Sequence, residues 1–153
     1  PAGGRSDVLT EAAEVHDDVA ISRARRSDMP RLEAMVGVHR DLIAEALTEG
    51  RCHVAKRAGR PIGVVVLERS FYGNGFVSLL FVDPEHRRQG IAAALMRHAE
   101  RFCPTAKLFT STNRSNEPMQ RLCDALGYEP SGIIHNLDEG DPELVYVKRL
   151  RRP

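Results

Sequence analysis

The predicted elements follow the order β, α, β, β, β, α, β, α, β, β. This order predicts an α/β (α+β) fold with one hydrophobic core. Segments rich in β-branched residues alternate with segments whose apolar residues recur at helical spacing, and Gly, Pro and Asn separate them. A chain of 153 residues has the size of one domain. We therefore expect a single domain over residues 19–153. A flexible arm is expected over residues 1–18, whose Pro, Gly, Ser and acidic composition does not favour packing.

The first half of the domain is predicted as a strand, a helical region and three further strands. A weak alternation marks residues 19–24 as a strand, and Ser27-Asp28-Met29-Pro30 offers a capping side chain and a first-turn proline for a helix. Gly37 interrupts the helical spacing, so two short helices or one bent helix fit the region up to Gly50. The next strands are predicted at residues 52–56, 62–67 and 76–82, with turns at residues 58–61 and at Gly73-Asn74-Gly75.

The second half is predicted as a helix, a strand, a helix and two strands. Asp83-Pro84 ends the preceding strand because proline lacks a backbone N–H. The next helix has an apolar stripe of Ile91, Leu95, Ala99 and Phe102, with Arg97, Glu100 and Arg101 mostly outside it. The remaining elements are a strand at residues 107–111, a helix from Ser115 to a stop at Gly127, and strands at residues 132–136 and 144–150.

Composition argues against several classes of partner and site. Lys and Arg (22) nearly balance Asp and Glu (21), so we expect neither nucleic acid nor a membrane as the main partner. No apolar segment approaches the ~20 residues that span a bilayer. The three cysteines, Cys52, Cys103 and Cys123, have neither disulfide nor zinc-ligand spacing, and the histidines form no close ligand pair. The sequence therefore predicts a cytoplasmic protein without a metal.

The loop between the strand ending at Val82 and the next helix has the strongest chemical signal. It reads Arg87-Arg88-Gln89-Gly90-Ile91-Ala92. The first backbone N–H groups of a helix lack acceptors and carry a partial positive charge, so an anion can bind there. Gly90 and Ala92 would let a phosphate approach the backbone. Arg87 and Arg88 would add cationic charge, although a solvated arginine pair is the alternative. The Walker pattern GxxxxGK[ST] and the dinucleotide pattern GxGxxG are both absent.

This loop resembles motif A of the Gcn5-related N-acetyltransferases (GNAT family), [QR]-x-x-G-x-[GA], with Arg87, Gly90 and Ala92 at the fixed positions. The resemblance extends over residues 19–150, because Gly59-Arg60-Pro61-Ile62-Gly63 is similar to a hairpin of that family and the segment from Asn116 to Tyr128 is similar to its N…L…LG[FY] segment. It implies a GNAT fold, which is a mixed, mostly antiparallel central sheet of six to seven strands flanked by about four helices.

The resemblance also implies acetyl-CoA as co-substrate. Backbone N–H groups of the loop would hold its pyrophosphate, and the strand before the loop would pair with its pantetheine arm. Asn116 would touch the arm further along, although a plain helix cap is an equal alternative for this residue. The implied cofactor-binding residues are Leu80, Phe81, Val82, Arg87, Arg88, Gln89, Gly90, Ile91, Ala92 and Asn116.

Catalysis in this family implies an acid for the leaving thiolate and a base for the amine. Many members have a tyrosine four residues before the glycine of LG[FY], where this chain has Cys123. Cys123 also fits the apolar stripe of its helix, and Tyr128 and Tyr146 are possible substitutes for the acid. Candidate bases are Glu68, His135, Asp138, Glu139, Asp141 and Glu143. The catalytic candidates that we carry forward are Glu143, Asp141, Tyr128 and Cys123.

The resemblance therefore implies an N-acetyltransferase that passes an acetyl group directly to a primary amine of a small molecule or a protein. The acidic loop at residues 137–143 would attract a cationic acceptor if it is functional, although a solvated hairpin is the alternative. A degenerate acyl-CoA-binding sensor or regulatory module is the second reading, because the usual tyrosine is missing. A homodimer through residues 144–150 is a further expectation from the family.

Overall fold

The structure is a computed structural model that describes residues 18–150, so the predicted arm lies outside the described residues except for Asp18. Four α-helices and seven strands occur within this range. Their bounds are β1 Val19–Arg23, α1 Met29–Val36, α2 Arg40–Thr48, β2 Cys52–Arg57, β3 Arg60–Phe71, β4 Asn74–Val82, α3 Ile91–Phe102, β5 Lys107–Asn113, α4 Glu117–Ala125, β6 Glu129–Ile134 and β7 Glu143–Arg149.

The seven strands form one sheet in the order β1-β2-β3-β4-β5-β7-β6. Strand pairs β1/β2, β2/β3, β5/β7 and β6/β7 are antiparallel. The β4/β5 pair is parallel, and its register joins Gly75–Val77 to Leu108–Thr110. The predicted mixed, mostly antiparallel sheet is therefore confirmed.

The described chain divides into two compact units, one with residues 18–66 and 79–98 and the other with residues 67–78 and 99–150. In the first unit, α1 and α2 bury their apolar stripes against β2 and β3. This core contains Leu32, Val36, Ile43, Ala46, Cys52, Val54, Val64 and Val66. A 3₁₀ turn at Gly37–His39 separates α1 from α2, which confirms the interruption predicted at Gly37.

Helix α3 packs against β3 in the same unit, and this contact determines where the loop before the helix lies. Ile91 and Leu95 on its apolar stripe are almost completely buried. A Cβ atom added at Gly63 would lie 3.0 Å from Leu95 Cδ1 and 3.3 Å from Ile91 Cγ2. Because β3 has a glycine at the contact, the first two turns of α3 lie directly against its backbone.

Asp28, the residue before α1, does not supply the side-chain cap predicted within Ser27-Asp28-Met29-Pro30, whereas the first-turn proline is confirmed. Its carboxylate makes no bond to the first turn of α1. Instead, Oδ2 accepts a hydrogen bond from the Arg25 backbone N–H at 2.8 Å, and Oδ1 lies 2.8 Å from Lys56 Nζ. Asp28 is buried, and an ion pair with β2 compensates the cost of burying its charge.

Several predicted strand boundaries also differ from the structure, among them those of β3, which spans Arg60–Phe71 instead of residues 62–67. The turn before β4 has Tyr72 (φ 53°) and Gly73 (φ 79°) in the left-handed region, so Asn74 and Gly75 already belong to the strand. Strand β6 starts at Glu129 instead of residue 132. The reason is that Gly127 (φ 85°) reverses the chain at the end of α4, where the Tyr128 N–H bonds the Cys123 carbonyl.

In the second unit, the C-terminal half of α3 is buried differently from the prediction. The apolar stripe continues from Ala99 to Cys103, which is fully buried, whereas Phe102 is 55% exposed. Glu100 faces inward, and its carboxylate accepts hydrogen bonds from Tyr128 Oη at 3.1 Å and Lys148 Nζ at 2.7 Å. The prediction placed Glu100 outside the stripe, because it could not include these two partners from distant segments.

None of the helices in residues 18–150 is long and apolar enough to cross a membrane.

We expect Gly75→Ala to destabilise the protein by about 1–3 kcal/mol. The added methyl group would overlap Cys103 Sγ and lie 3.1 Å from Thr105 Oγ1, which accepts the Gly75 N–H at 2.8 Å. Chemical denaturation measures the change. The matched control is Gly37→Ala, which meets no atom within 4 Å and should be neutral or stabilising by up to about 1 kcal/mol. Equal stability of the two variants would contradict the packing at Gly75.

Candidate active site

The segment before α3 is anchored at its start by Asp83. The Asp83 backbone N–H donates to the Ile62 carbonyl at 2.8 Å, and its carboxylate forms an ion pair with Arg31. The same carboxylate accepts the Glu85 N–H at 3.3 Å and so caps the 3₁₀ turn Pro84–His86. Burial raises the pKa of Asp83, but the Glu85 N–H and the Arg31 guanidinium outweigh it and hold this pKa below its ordinary value. Asp83 is therefore a charged anchor near neutral pH.

The side chains of the cradle loop, which we define as Arg87–Ala92, hold it in place. Arg87 Nε donates to the Val82 carbonyl at 3.0 Å, and its guanidinium carbon lies 5.4 Å from the centre of the Phe81 ring. Gln89 Oε1 accepts a hydrogen bond from Arg57 at 2.9 Å. Arg87 is exposed, as the alternative of a solvated pair expects, but its guanidinium also has these two internal contacts. The sequence does not indicate this role of Arg57, because a basic residue at the end of a strand usually indicates only exposure to solvent.

The backbone of the cradle loop turns sharply into α3. Arg88 (φ 61°) and Gly90 (φ 78°) both lie in the left-handed region, and Arg88 is exposed. The Ala94 N–H donates to the Gly90 carbonyl at 3.1 Å as the helix begins. The N–H groups of Ile91, Ala92 and Ala93 precede this bond, so the helix itself offers them no acceptor. This geometry suits the binding of an anion such as a phosphate.

Asn116 lies in the second unit as the residue before α4. Its Oδ1 accepts the Met119 N–H at 3.3 Å, and its side chain is exposed. The cap interpretation of Asn116 is therefore confirmed. An exposed cap can also contact a ligand with its amide N–H groups, so contact with the arm of the cofactor stays a prediction.

The predicted acidic loop is bonded to the end of β5. Asp141 Oδ1 accepts the Ser115 N–H at 3.0 Å, and Asp141 Oδ2 accepts the Ser115 hydroxyl at 2.6 Å. Asn113 Nδ2 donates to Asp138 Oδ2 at 2.8 Å. Both carboxylates therefore have internal partners, so a simply solvated hairpin does not describe this loop.

Glu143 is the first residue of β7 and is opposite Asn113 of β5. It is half-buried, and its carboxylate accepts a hydrogen bond from Ser111. Burial raises the pKa of Glu143; the Ser111 hydrogen bond lowers it, and Asp138 and Asp141 raise it further, so the pKa is above the ordinary value of 4.5. A carboxylate with a raised pKa is a better proton acceptor, which is the property that a general base requires.

The acid candidates are buried and hold their protons tightly. Cys123 is fully buried, and burial, together with the nearby Asp124 charge, raises the pKa of its thiol to about 12. Burial and Glu100 raise the pKa of Tyr128 well above its ordinary value, and its hydroxyl already donates to Glu100. Burial raises the pKa of Tyr146 as well. These placements favour packing roles for Cys123 and Tyr128.

The other candidates contribute less to this arrangement. Glu68 is half-buried on β3, and His135 is exposed after β6. Among the described residues, no group of three or more His, Cys, Asp or Glu side chains could hold a metal ion.

Comparison with known proteins identifies the fold. The model of the acetyltransferase (GNAT) family matches residues 18–128. A GNAT acetyltransferase from Bacillus cereus ATCC 10987 is 34% identical, with a TM-score of 0.82 over 88% of this chain and 99% of the other. The ribosomal-protein-S18-alanine N-acetyltransferase of Escherichia coli is 18% identical, with a TM-score of 0.75 over 88% and 96%.

A third structure, a GNAT acetyltransferase from Elizabethkingia anophelis with acetyl-CoA bound, is 20% identical, with a TM-score of 0.70 over 88% and 100% of the two chains. A search of curated protein sequences gave no match. The family model covers more than half of the chain, and the Bacillus cereus structure exceeds 30% identity over most of its length. The chain therefore belongs to the GNAT family of acetyltransferases.

Proposed function

We propose that the protein is an acetyl-CoA-dependent N-acetyltransferase that transfers the acetyl group directly to a primary amine of a small molecule or a protein. The observation that supports this best is the cradle loop, in which two left-handed residues, Arg88 and Gly90, lead into the first turn of α3, where the helix itself offers the backbone N–H groups no acceptor. Family membership supplies the reaction class. The cradle loop, which side-chain contacts hold in place, would supply a binding site for the pyrophosphate of the donor.

The donor would occupy the loop and the strand before it. The N–H groups of the cradle loop after Arg87 would hold the pyrophosphate, since the Arg87 N–H donates to the Pro84 carbonyl at 3.5 Å. Arg88 would be an exposed counter-charge, and Gln89 is held by Arg57. Leu80, Phe81 and Val82 would bond the pantetheine arm through their backbone. The residues of β4 that pair in parallel with β5 are Gly75–Val77. They lie before Leu80, Phe81 and Val82 in the same strand. Asn116 would contact the arm beyond this strand.

The reaction needs a neutral amine, a stabilised oxyanion and a protonated thiol. An alkyl amine has a pKa of about 10 in water, so a base must take its proton. Glu143 is the base that we propose. The amine nitrogen attacks the thioester carbon, a backbone N–H from Leu80–Val82 stabilises the oxyanion, and the carbon–sulfur bond breaks. The thiolate of CoA then takes a proton from solvent, because Cys123 and Tyr128 are buried and Tyr128 already donates to Glu100.

A sensor that binds acyl-CoA without turnover is the second candidate function. The observation that favours it is Cys123, which stands where many members of the family have a tyrosine and is fully buried. A thiol-release assay with acetyl-CoA and a panel of amines separates the two functions. Turnover on any amine supports the enzyme, and binding without turnover on every amine supports the sensor.

Two further features stay proposals. The cytoplasm is the proposed location, and all three cysteines are free and buried. A homodimer through residues 144–150 would need side-chain contacts, because the two edges of β7 pair with β5 and β6.

We expect Arg88→Gly to weaken acetyl-CoA binding about two- to fivefold without loss of stability, because an exposed ion pair contributes up to about 1 kcal/mol. Glycine adopts the φ of 61° at this position without strain. Calorimetric titration with acetyl-CoA measures the affinity, and the difference from the wild type should shrink at high salt.

The control for this variant is Ala58→Gly, which also replaces an exposed residue in the left-handed region (φ 51°) but removes no charge. Its affinity for acetyl-CoA should equal that of the wild type. If Arg88→Gly binds acetyl-CoA as tightly as Ala58→Gly at low salt, the side chain of Arg88 has no role in donor binding.

We expect Glu143→Gln to lower kcat by about 100-fold or more, as removal of a general base does. The acid limb of the pH profile, which should lie above pH 4.5 because the pKa of Glu143 is raised, should disappear.

The stability of Glu143→Gln should rise at neutral pH while its kcat falls. A carboxyl whose folded pKa is raised stabilises the fold below its unfolded pKa and loses this contribution as pH rises through the folded value. The variant should therefore have a higher Tm at pH 7 and no advantage below pH 4.

The control is Glu139→Gln, which removes an exposed carboxylate from the same acidic loop. Its kcat and Tm should match those of the wild type. Wild-type kcat in Glu143→Gln would exclude Glu143 as the base and leave the donor site unaffected.

A further inference from the structure

Two loops of the second unit are joined by a compact set of hydrogen bonds, which we call the clasp. It connects residues 113–115, which begin at the last residue of β5, to residues 138–142, before β7. Five bonds cross it. Asn113 Nδ2 donates to Asp138 Oδ2 and to the Asp141 carbonyl, the Arg114 N–H donates to the Pro142 carbonyl, and the Ser115 N–H and hydroxyl donate to the two oxygens of Asp141.

The clasp lies between two residues of the proposed function. Asn116, the cap of α4, directly follows Ser115, and Glu143 directly follows Pro142. Glu143 is also held from β5, since it is opposite Asn113 and its carboxylate accepts a hydrogen bond from Ser111. A shift of the clasp would therefore move both residues.

Asp141 connects the two sides of the clasp through its side chain. Its Oδ1 to Ser115 N distance is 3.0 Å, and its Oδ2 to Ser115 Oγ distance is 2.6 Å. Hydrogen bonds to a charged acceptor are stronger than neutral ones. Each oxygen already accepts a hydrogen bond from Ser115, so the simplest role for this carboxylate is to hold the two loops together. Attraction of a cationic acceptor would have to compete with these two hydrogen bonds.

We propose that Asp141 is a positioning residue, which fixes Glu143 and Asn116 through its paired hydrogen bonds to Ser115. This inference rests on the proposed function, because it takes Glu143 as the base. It assigns Asp141 a different role from the steering of a cationic acceptor that the composition of the loop suggests.

The two roles differ in which kinetic constant changes. Ser115→Ala removes one bond of the clasp and leaves every charge in place, so positioning predicts a lower kcat, by about tenfold, whereas charge steering predicts no effect. A displacement of about 1 Å can reduce a rate by up to about 100-fold, which makes this loss measurable. Asp141→Ala should lower kcat to a similar extent. Because both changes break the same contact, the double variant should be no slower than the slower single variant.

Three controls complete the experiment. Ser115→Thr retains the hydroxyl and should keep a kcat close to that of the wild type. Glu139→Ala removes the same charge from the same loop, and no bond of the clasp involves its side chain, so its kcat and acceptor KM should not change. The Tm of each variant separates a loss of folded protein from a change in kcat.

Each result decides between the possibilities. A lower kcat in Ser115→Ala, restored in Ser115→Thr and not additive with Asp141→Ala, supports the inference. Wild-type kcat in Ser115→Ala, or a change confined to the acceptor KM of Asp141→Ala, overturns the inference alone. If the wild type binds acetyl-CoA but acetylates no amine, the proposed function fails and the inference fails with it.

Discussion

The packing of α3 on β3 is the contact on which the candidate donor site depends. Gly63 leaves room for Leu95 and Ile91, which lie within 3.3 Å of the position that its Cβ would take. Because Ile91 is also the first residue of α3, this buried contact places the N-terminal N–H groups at the end of the cradle loop. An anion site built from backbone N–H groups is only as well defined as the helix that supplies them. The hydrophobic core of the first unit therefore fixes a polar site at its surface.

The cradle loop combines local strain with several anchors. A left-handed conformation at a residue with a side chain, such as Arg88, costs about 1 kcal/mol or more, and the neighbouring contacts must offset it. The Arg31 pair with Asp83, the Arg87 bond to the Val82 carbonyl and the Arg57 bond to Gln89 provide this support. Thus three arginines stabilise the loop, while Arg88 lies at the bend with an exposed side chain, as Arg87 also does. Positive charge anchors the loop through these three arginines, and we propose that Arg88 contributes to donor binding.

The titratable groups of the second unit that are catalytic candidates differ in how deeply they are buried. Cys123, Tyr128 and Tyr146 are buried, and burial raises the pKa of each. Glu143 is only half-buried; burial raises its pKa, and the hydrogen bond from Ser111 acts against this effect. A raised pKa makes a carboxylate a better proton acceptor, whereas a deeply buried phenol or thiol cannot readily lose a proton. The same physical effect, desolvation, thus favours Glu143 as the base and argues against Cys123 as an acid.

The sequence by itself determined the order of strands and helices, the interruption at Gly37, the stop at Gly127 and the loop that enters α3, because each depends on local properties such as glycine freedom, proline geometry and apolar spacing. The cap at Asn116 was predictable for the same reason. Tertiary structure decided the roles of Asp28, Glu100 and Asp141, whose partners come from distant segments: Lys56 for Asp28, Lys148 and Tyr128 for Glu100, and Ser115 for Asp141. It also decided that Arg57 supports the cradle loop. The sequence around a charged side chain does not indicate which distant residue it will contact, because that contact forms only when the chain has folded.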